Sequence, residues 1–94
     1  MREYGKVYPR FWQSGTGKKL RGDRDAQVLA LYLMTCPHAN MIGIFHCPIM
    51  FMAYETGMPI EGATKALQRL IIEDFCTFDA DDEVVWVHEM AAHQ

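Results

Sequence analysis

A chain of 94 residues, half of them hydrophobic, 22% charged and 12% aromatic, is long enough for one domain with an unaided core, too short for a second, and too apolar to remain disordered. No run reaches the ~18 uncharged apolar residues of a membrane span, no apolar signal region follows Met1, and three cysteines at no framework spacing argue against disulfide stapling, so a soluble cytoplasmic protein is expected. The formal charge of -3 hides an asymmetry: residues 1–24 carry seven basic residues against two acids, a net of +5, whereas residues 25–94 keep only Lys65 and Arg69 against ten acids, a net of −8.

Non-specific affinity for nucleic acid comes mainly from phosphate neutralisation, so this distribution argues against a general DNA coat. Only the N-terminal stretch and a locally basic helix face could supply contacts.

In chain order, residues 1–22 combine Tyr4, Val7, Tyr8, Phe11 and Trp12 with Ser14-Gly15-Thr16-Gly17-Lys18-Lys19, whose glycines predict a mobile loop. This is a basic, aromatic arm expected to dock by its rings. Asp23 is a suitable N-cap for a helix from about Arg24 to Cys36, with Asp25 in the first turn where a carboxylate suits the helix dipole. Only Gln27 and Thr35 are polar between Ala26 and Cys36, which predicts a helix buried on most sides. Pro37-His38-Ala39-Asn40 ends it, and Met41 to His46 reads as a short strand.

Pro48 suits a first helical position, and Ile49, Met52, Ala53 and Thr56 line one face until Gly57 stops the helix. Pro59 opens the next helix, where Ile60, Ala63, Leu67, Leu70 and Ile71 make an apolar stripe at helical period. The opposite face carries Glu61, Thr64, Lys65, Gln68 and Ile72. Phe75 to Phe78 and Val84 to Val87 are β-branched and aromatic around the turn-forming Asp79-Ala80-Asp81-Asp82-Glu83, and together read as a hairpin. The order predicts an α+β winged helix-turn-helix: a three-helix core with a small antiparallel sheet. The domain is expected over 23–88, after the arm at 1–22, with 89–94 beginning a linker or helix to a further C-terminal region.

Ala53-Tyr54-Glu55-Thr56-Gly57-Met58-Pro59-Ile60-Glu61-Gly62-Ala63-Thr64-Lys65-Ala66-Leu67 resembles the helix-turn-helix pattern of bacterial and phage DNA-binding proteins. Ala53 lets the helices approach, Gly57 makes the turn at positive φ, Ala63 and Leu67 face inward, and Thr64, Lys65 and Gln68 face out. Ala63 is smaller than the usual branched residue, and Gly62 weakens its helix by ~1 kcal/mol relative to alanine.

Through Tyr4 to Val7, Ala30 to Leu33, Pro37 to Gly43 and Val85 to Ala91, the whole chain resembles the N-terminal domains of phage and prophage replication proteins, similar to replisome organisers and DnaD-like primosome proteins. The resemblance implies a DNA replication initiation protein working in a bacterial host cytoplasm. Its implied partners are DNA, duplex in preference to single-stranded, a second copy of the chain, and helicase-loading proteins engaged through the C-terminal region. Thr64, Lys65 and Gln68 are expected to reach bases or phosphates, Arg69 to hold the backbone, and Lys18, Lys19 and Arg21 of the arm to add phosphate contacts. The four acids of the hairpin turn would be repelled by phosphate, which argues against that turn entering a minor groove. The alternative is a dimerisation or protein-docking scaffold that does not itself read DNA, favoured by an exposed Ile72 and by Phe11 and Trp12 if undocked.

Other chemistry is set aside on pattern. Gly15-Thr16-Gly17-Lys18-Lys19 fails as a phosphate loop because Trp12 and Lys19 stand where glycine and a hydroxyl residue are required. His88 and His93 are one place too far apart for a zinc-protease pair, and Cys36, His38, His46 and Cys47 match no established finger spacing. No nucleophile elbow flanks a cysteine. No enzyme, metal or cofactor is expected, and the methionines, Met50, Met52 and Met58 among them, are expected to fill the core.

Overall fold

The computed structural model of the protein describes residues 7–13, 15–36 and 43–88. Among them the chain is α+β: a 3-10 turn (Pro9–Trp12), helices α1 (Gly15–Lys19), α2 (Arg24–Thr35), α3 (Ile49–Thr56) and α4 (Ile60–Ile72), and strands β1 (Ile44–His46), β2 (Cys76–Asp79) and β3 (Val84–Val87). The strands form one antiparallel sheet in the order β1-β3-β2, an arrangement compatible with the expected winged helix. The expectations for residues 1–6, Tyr4 of the arm among them, for Ser14, and for residues 37–42 and 89–94 lie outside the described residues.

Local chemistry sets the helix ends. The Asp23 carboxylate accepts from the Ala26 amide at 3.1 Å, a cap that contributes about 1 kcal/mol. Cys36 ends α2 in extended backbone, ψ 152, the conformation imposed on a residue that precedes proline. Pro48 and Pro59 stand one place earlier than expected. Each is the N-cap and not the first helical residue, because its ψ of 151 or 152 is extended while its carbonyl accepts the first helical bond, from Met52 at 3.2 Å and Ala63 at 2.9 Å. Gly57 closes α3 at φ 78, where a Cβ would be strained.

The core gathers Leu29, Ala30 and Leu33 of α2, Met52 of α3, Ala66, Leu67 and Leu70 of α4, and the inner face of the sheet: Phe45, Cys76, Val85 and Val87. Cross-strand partners Phe45 and Val85, and Cys76 and Val87, share that inner face, as a period of two requires. Phe75, fully buried, joins α4 to the sheet; its amide donates to Leu70 and its carbonyl accepts from His88.

Three expectations are corrected. The apolar stripe of α4 runs through Ala63, Ala66, Leu67 and Leu70, while Ile60 and Ile71 are exposed. The reason is where α2 packs: the Asp25 carboxylate lies 3.7 Å from the position of a Cβ on Gly62, so the small residues Gly62 and Ala66 face α2 and the flanking isoleucines turn outward. Helix α2 is buried along one side only, with Val28 exposed. Of the methionines, Met52 is core and Met34 and Met58 pack against it, but Met50 is exposed.

The glycine-rich segment is also not a loop. Residues Gly15–Lys19 form α1, and Leu20 just beyond is fully buried in the core. Gly17 faces the 3-10 turn so closely that a Cβ would stand 1.4 Å from the Phe11 carbonyl oxygen. Glycine here serves close approach, and the two short helices lock face to face.

The three cysteines are buried. Burial pushes the Cys76 thiol from 9.0 up to about 12; the Cys47 thiol is raised by its hydrogen bond with Cys36 and by burial. Burial and a hydrogen bond to Glu55 raise the Tyr32 hydroxyl in the same direction. For each, the folded state favours the protonated form, so the stability this contributes is fully present below the unfolded pKa and is lost as pH rises above it. Denaturant titrations of the protein should therefore show stability falling above about pH 9, where the thiols of the unfolded chain ionise, by up to about 1.4 kcal/mol per pH unit for Cys76, with Tyr32 adding a smaller loss only above about pH 10.

Candidate nucleic-acid interface

The sites predicted from sequence fall into two neighbouring regions, the outer face of α4 and the α1 segment. On α4, Lys65 and Gln68 are exposed, and their spacing puts them one above the other on the helix surface. Thr64 is half-buried and its hydroxyl donates to the Ile60 carbonyl at 2.8 Å, which leaves it only acceptor capacity toward a ligand. Ile72, 77% exposed, extends the same face toward the end of the helix.

Arg69 has an internal task. Its Nε donates to Glu73 at 3.1 Å, one terminal nitrogen donates to the Lys19 carbonyl at 3.0 Å, and the other stands 3.9 Å from the Asp23 carboxylate. The guanidinium thus ties the end of α1 and the cap of α2 to the last turn of α4. With Glu61 on α4 and Glu73 at its C-cap, the two cations of α4 are matched in number by two acids.

The α1 segment is different. Arg10, Lys18, Lys19, Arg21 and Arg24 are all exposed, and among residues 7–24 the one acid is Asp23, which already faces Arg69. Arg21 donates to the Trp12 carbonyl at 2.9 Å, which brings it beside the 3-10 turn. Arg10 lies over the Tyr8 ring, 5.1 Å from its centroid, a cation–π contact. Phe11 packs against the core and meets Trp12 edge to face at 5.1 Å, while Trp12 itself stays 48% exposed. Of the arm aromatics among the described residues, Phe11 docks on the core as expected, while Tyr8 and Trp12 stay nearly half exposed.

Arg69 joins the two regions: through the Lys19 carbonyl it sets the basic segment beside the C-terminal half of α4. The Asp79–Glu83 turn is exposed at its tip and internally ordered, the Asp79 carboxylate accepting from the amides of Asp81 and Asp82 at 3.0 and 3.3 Å. His88, bonded to the Asp74 carbonyl at 2.9 Å and to Thr77 at 2.6 Å, fastens the base of this hairpin.

Sequence reasoning missed Tyr8 and Arg10 as part of this surface, although three rings around a single cation at 8–12 carry the signal. No group of three or more histidine, cysteine or acidic side chains suited to a metal occurs among the described residues, nor any helix long and apolar enough to cross a membrane. Comparison of the chain with protein-family models, curated proteins and solved structures found no match.

Proposed function

We propose that the protein is a winged-helix DNA-binding domain of the kind found in phage and prophage replication initiation proteins. The observation that carries this reading is the juxtaposition of a tight two-helix unit, α3 and α4 around Gly57, with a basic segment hydrogen-bonded to the end of α4. The sheet order β1-β3-β2, with β2 and β3 following α4, is compatible with a winged helix and supports the reading. In this reading α4 enters a major groove with Lys65 and Gln68 at its exposed face, and Lys18, Lys19 and Arg21 contact the flanking phosphates. Helicase-loading partners and the replication role rest on the resemblance alone.

Arg69 is assigned a different role from the one its sequence position suggests: it supports the interface by holding α1 against α4. Changing Lys65 and Gln68 together to alanine should weaken duplex binding about tenfold, ~1.4 kcal/mol, with the unfolding midpoint unchanged. Arg69→Ala should instead lower stability by about 1 kcal/mol, since its ion pairs are half-exposed and its bond to Lys19 is a single charged hydrogen bond. Duplex affinity unaffected by the Lys65/Gln68 change would turn the assignment away from α4.

A second reading, a dimerisation or docking scaffold, is favoured by the exposed apolar residues Met50, Phe51 and Tyr54 of α3 and by Ile72. A dimer mass in solution that reverts to monomer on Tyr54→Glu would support it.

A further inference from the structure

We propose that the surface formed by Tyr8, Arg10, Trp12, Lys18, Lys19 and Arg21 is a single-strand platform: Trp12 stacks on an unpaired base while the surrounding cations hold the adjoining phosphates. This rests on the nucleic-acid reading above and deepens it, because it gives Trp12 and the cations around it a second ligand besides the flanking phosphates of the duplex on α4.

Three observations carry it. The first is charge: residues 15–24 hold four exposed cations, Lys18, Lys19, Arg21 and Arg24, against Asp23, which Arg69 already faces, whereas Lys65 and Arg69 of α4 are offset in number by Glu61 and by Glu73 at its C-cap. Electrostatic attraction for a phosphate chain is thus concentrated on the α1 segment. The second is the ring: the Trp12 indole is left 48% exposed on the same short segment as these cations, the combination of π-face and positive charge that single-strand binding uses. Its setting is fixed, by the edge contact to core-packed Phe11 at 5.1 Å and by the bond from Arg21 to its own carbonyl at 2.9 Å. The third is the absence of a side chain at Gly17, which lets α1 seat directly on the Phe11 carbonyl and so brings Lys18 and Lys19 to the turn that bears Trp12.

The choice of single strand over duplex follows from the aromatic. In a duplex the faces of the bases are covered by their neighbours, so an exposed indole has nothing to stack on, whereas every unpaired base offers a π-face. Stacking of this kind tolerates any sequence, and the platform is expected to have little base preference.

The test uses the whole chain carrying Trp86→Phe, which leaves Trp12 as the only tryptophan. Its fluorescence is followed on addition of an oligothymidylate of about 16 nucleotides at ~50 mM salt, beside a duplex of the same length. The oligothymidylate should quench Trp12; with affinities read from the anisotropy of a fluorescein label on each nucleic acid, Trp12→Ala should weaken oligothymidylate binding about tenfold and Trp12→Phe by no more than about threefold, with duplex affinity unchanged within about twofold. Changing Lys18 and Lys19 to alanine should weaken both ligands and reduce the salt slope by roughly one to two units. If the duplex binds but the oligothymidylate neither binds nor quenches Trp12, or if Trp12→Ala binds it as tightly as the parent, the platform is overturned and the wider reading stands. If neither ligand binds, both fall.

Discussion

Replacing Phe75 by alanine should destabilise the protein by about 3–5 kcal/mol, a large share of the ~5–15 kcal/mol available to a small domain. Phe75 is the largest fully buried side chain among the described residues, and it stands where α4 hands over to the sheet, after Asp74 at φ 62. Its backbone closes a bond to Leu70 on one side and accepts from His88 on the other. Removing the ring leaves a cavity that the flanking elements cannot close without moving the hairpin off α4. Urea unfolding of the variant should show a lower midpoint, and hydrogen exchange should show lost protection in β2 and β3. A cost below about 1 kcal/mol would mean that the ring is not the joint between helices and sheet.

Leu20→Ala should cost about 2–5 kcal/mol, and a chain beginning at Asp23 should not unfold cooperatively. Leu20 is fully buried and belongs to the main core, so the segment before α2 is expected to fold with the rest. An independent arm would instead make Leu20→Ala almost neutral, within about 0.5 kcal/mol, as surface substitutions usually are. Equilibrium denaturation of the two variants separates the cases. The outcome bears on function as well, because a basic segment held on the core presents its cations at fixed positions.

The parts of the fold that were legible in the sequence are those whose cause is local. Asp23 caps the helix that begins one residue later, Gly57 ends the helix that precedes it, and the acidic turn is framed by two short β-branched runs. Each needs only near neighbours to be understood. The features that escaped depend on contacts distant in sequence. Gly17 reads as a flexible glycine until the Phe11 carbonyl is found against it. Ile60 and Ile71 fit a helical stripe, and only the packing of α2 at Gly62 turns them to solvent.

Arg69 is the instructive case for the site. On helical spacing it belongs beside Lys65 as a phosphate ligand, but the groups that occupy it, the Lys19 carbonyl and the Asp23 carboxylate, come from far earlier in the chain. Charge counting along the sequence locates the basic segment correctly and cannot say which cations are already spent. Lys65 keeps its place in the candidate interface because, among the described residues, it is exposed and pairs with no acid.

The central claim is that the cations of the α1 segment contact nucleic-acid phosphates, and the salt dependence of binding tests it most directly. Affinity for a short duplex and for an oligothymidylate should be measured from ~50 to ~200 mM salt for the parent chain and for the variant with Lys18, Lys19 and Arg21 changed to alanine. The account predicts measurable binding by the parent at ~50 mM and a log–log slope smaller in magnitude by about two to three units in the variant, near one unit for each phosphate contact removed. Identical slopes for parent and variant, or no binding by the parent at ~50 mM salt, would contradict it.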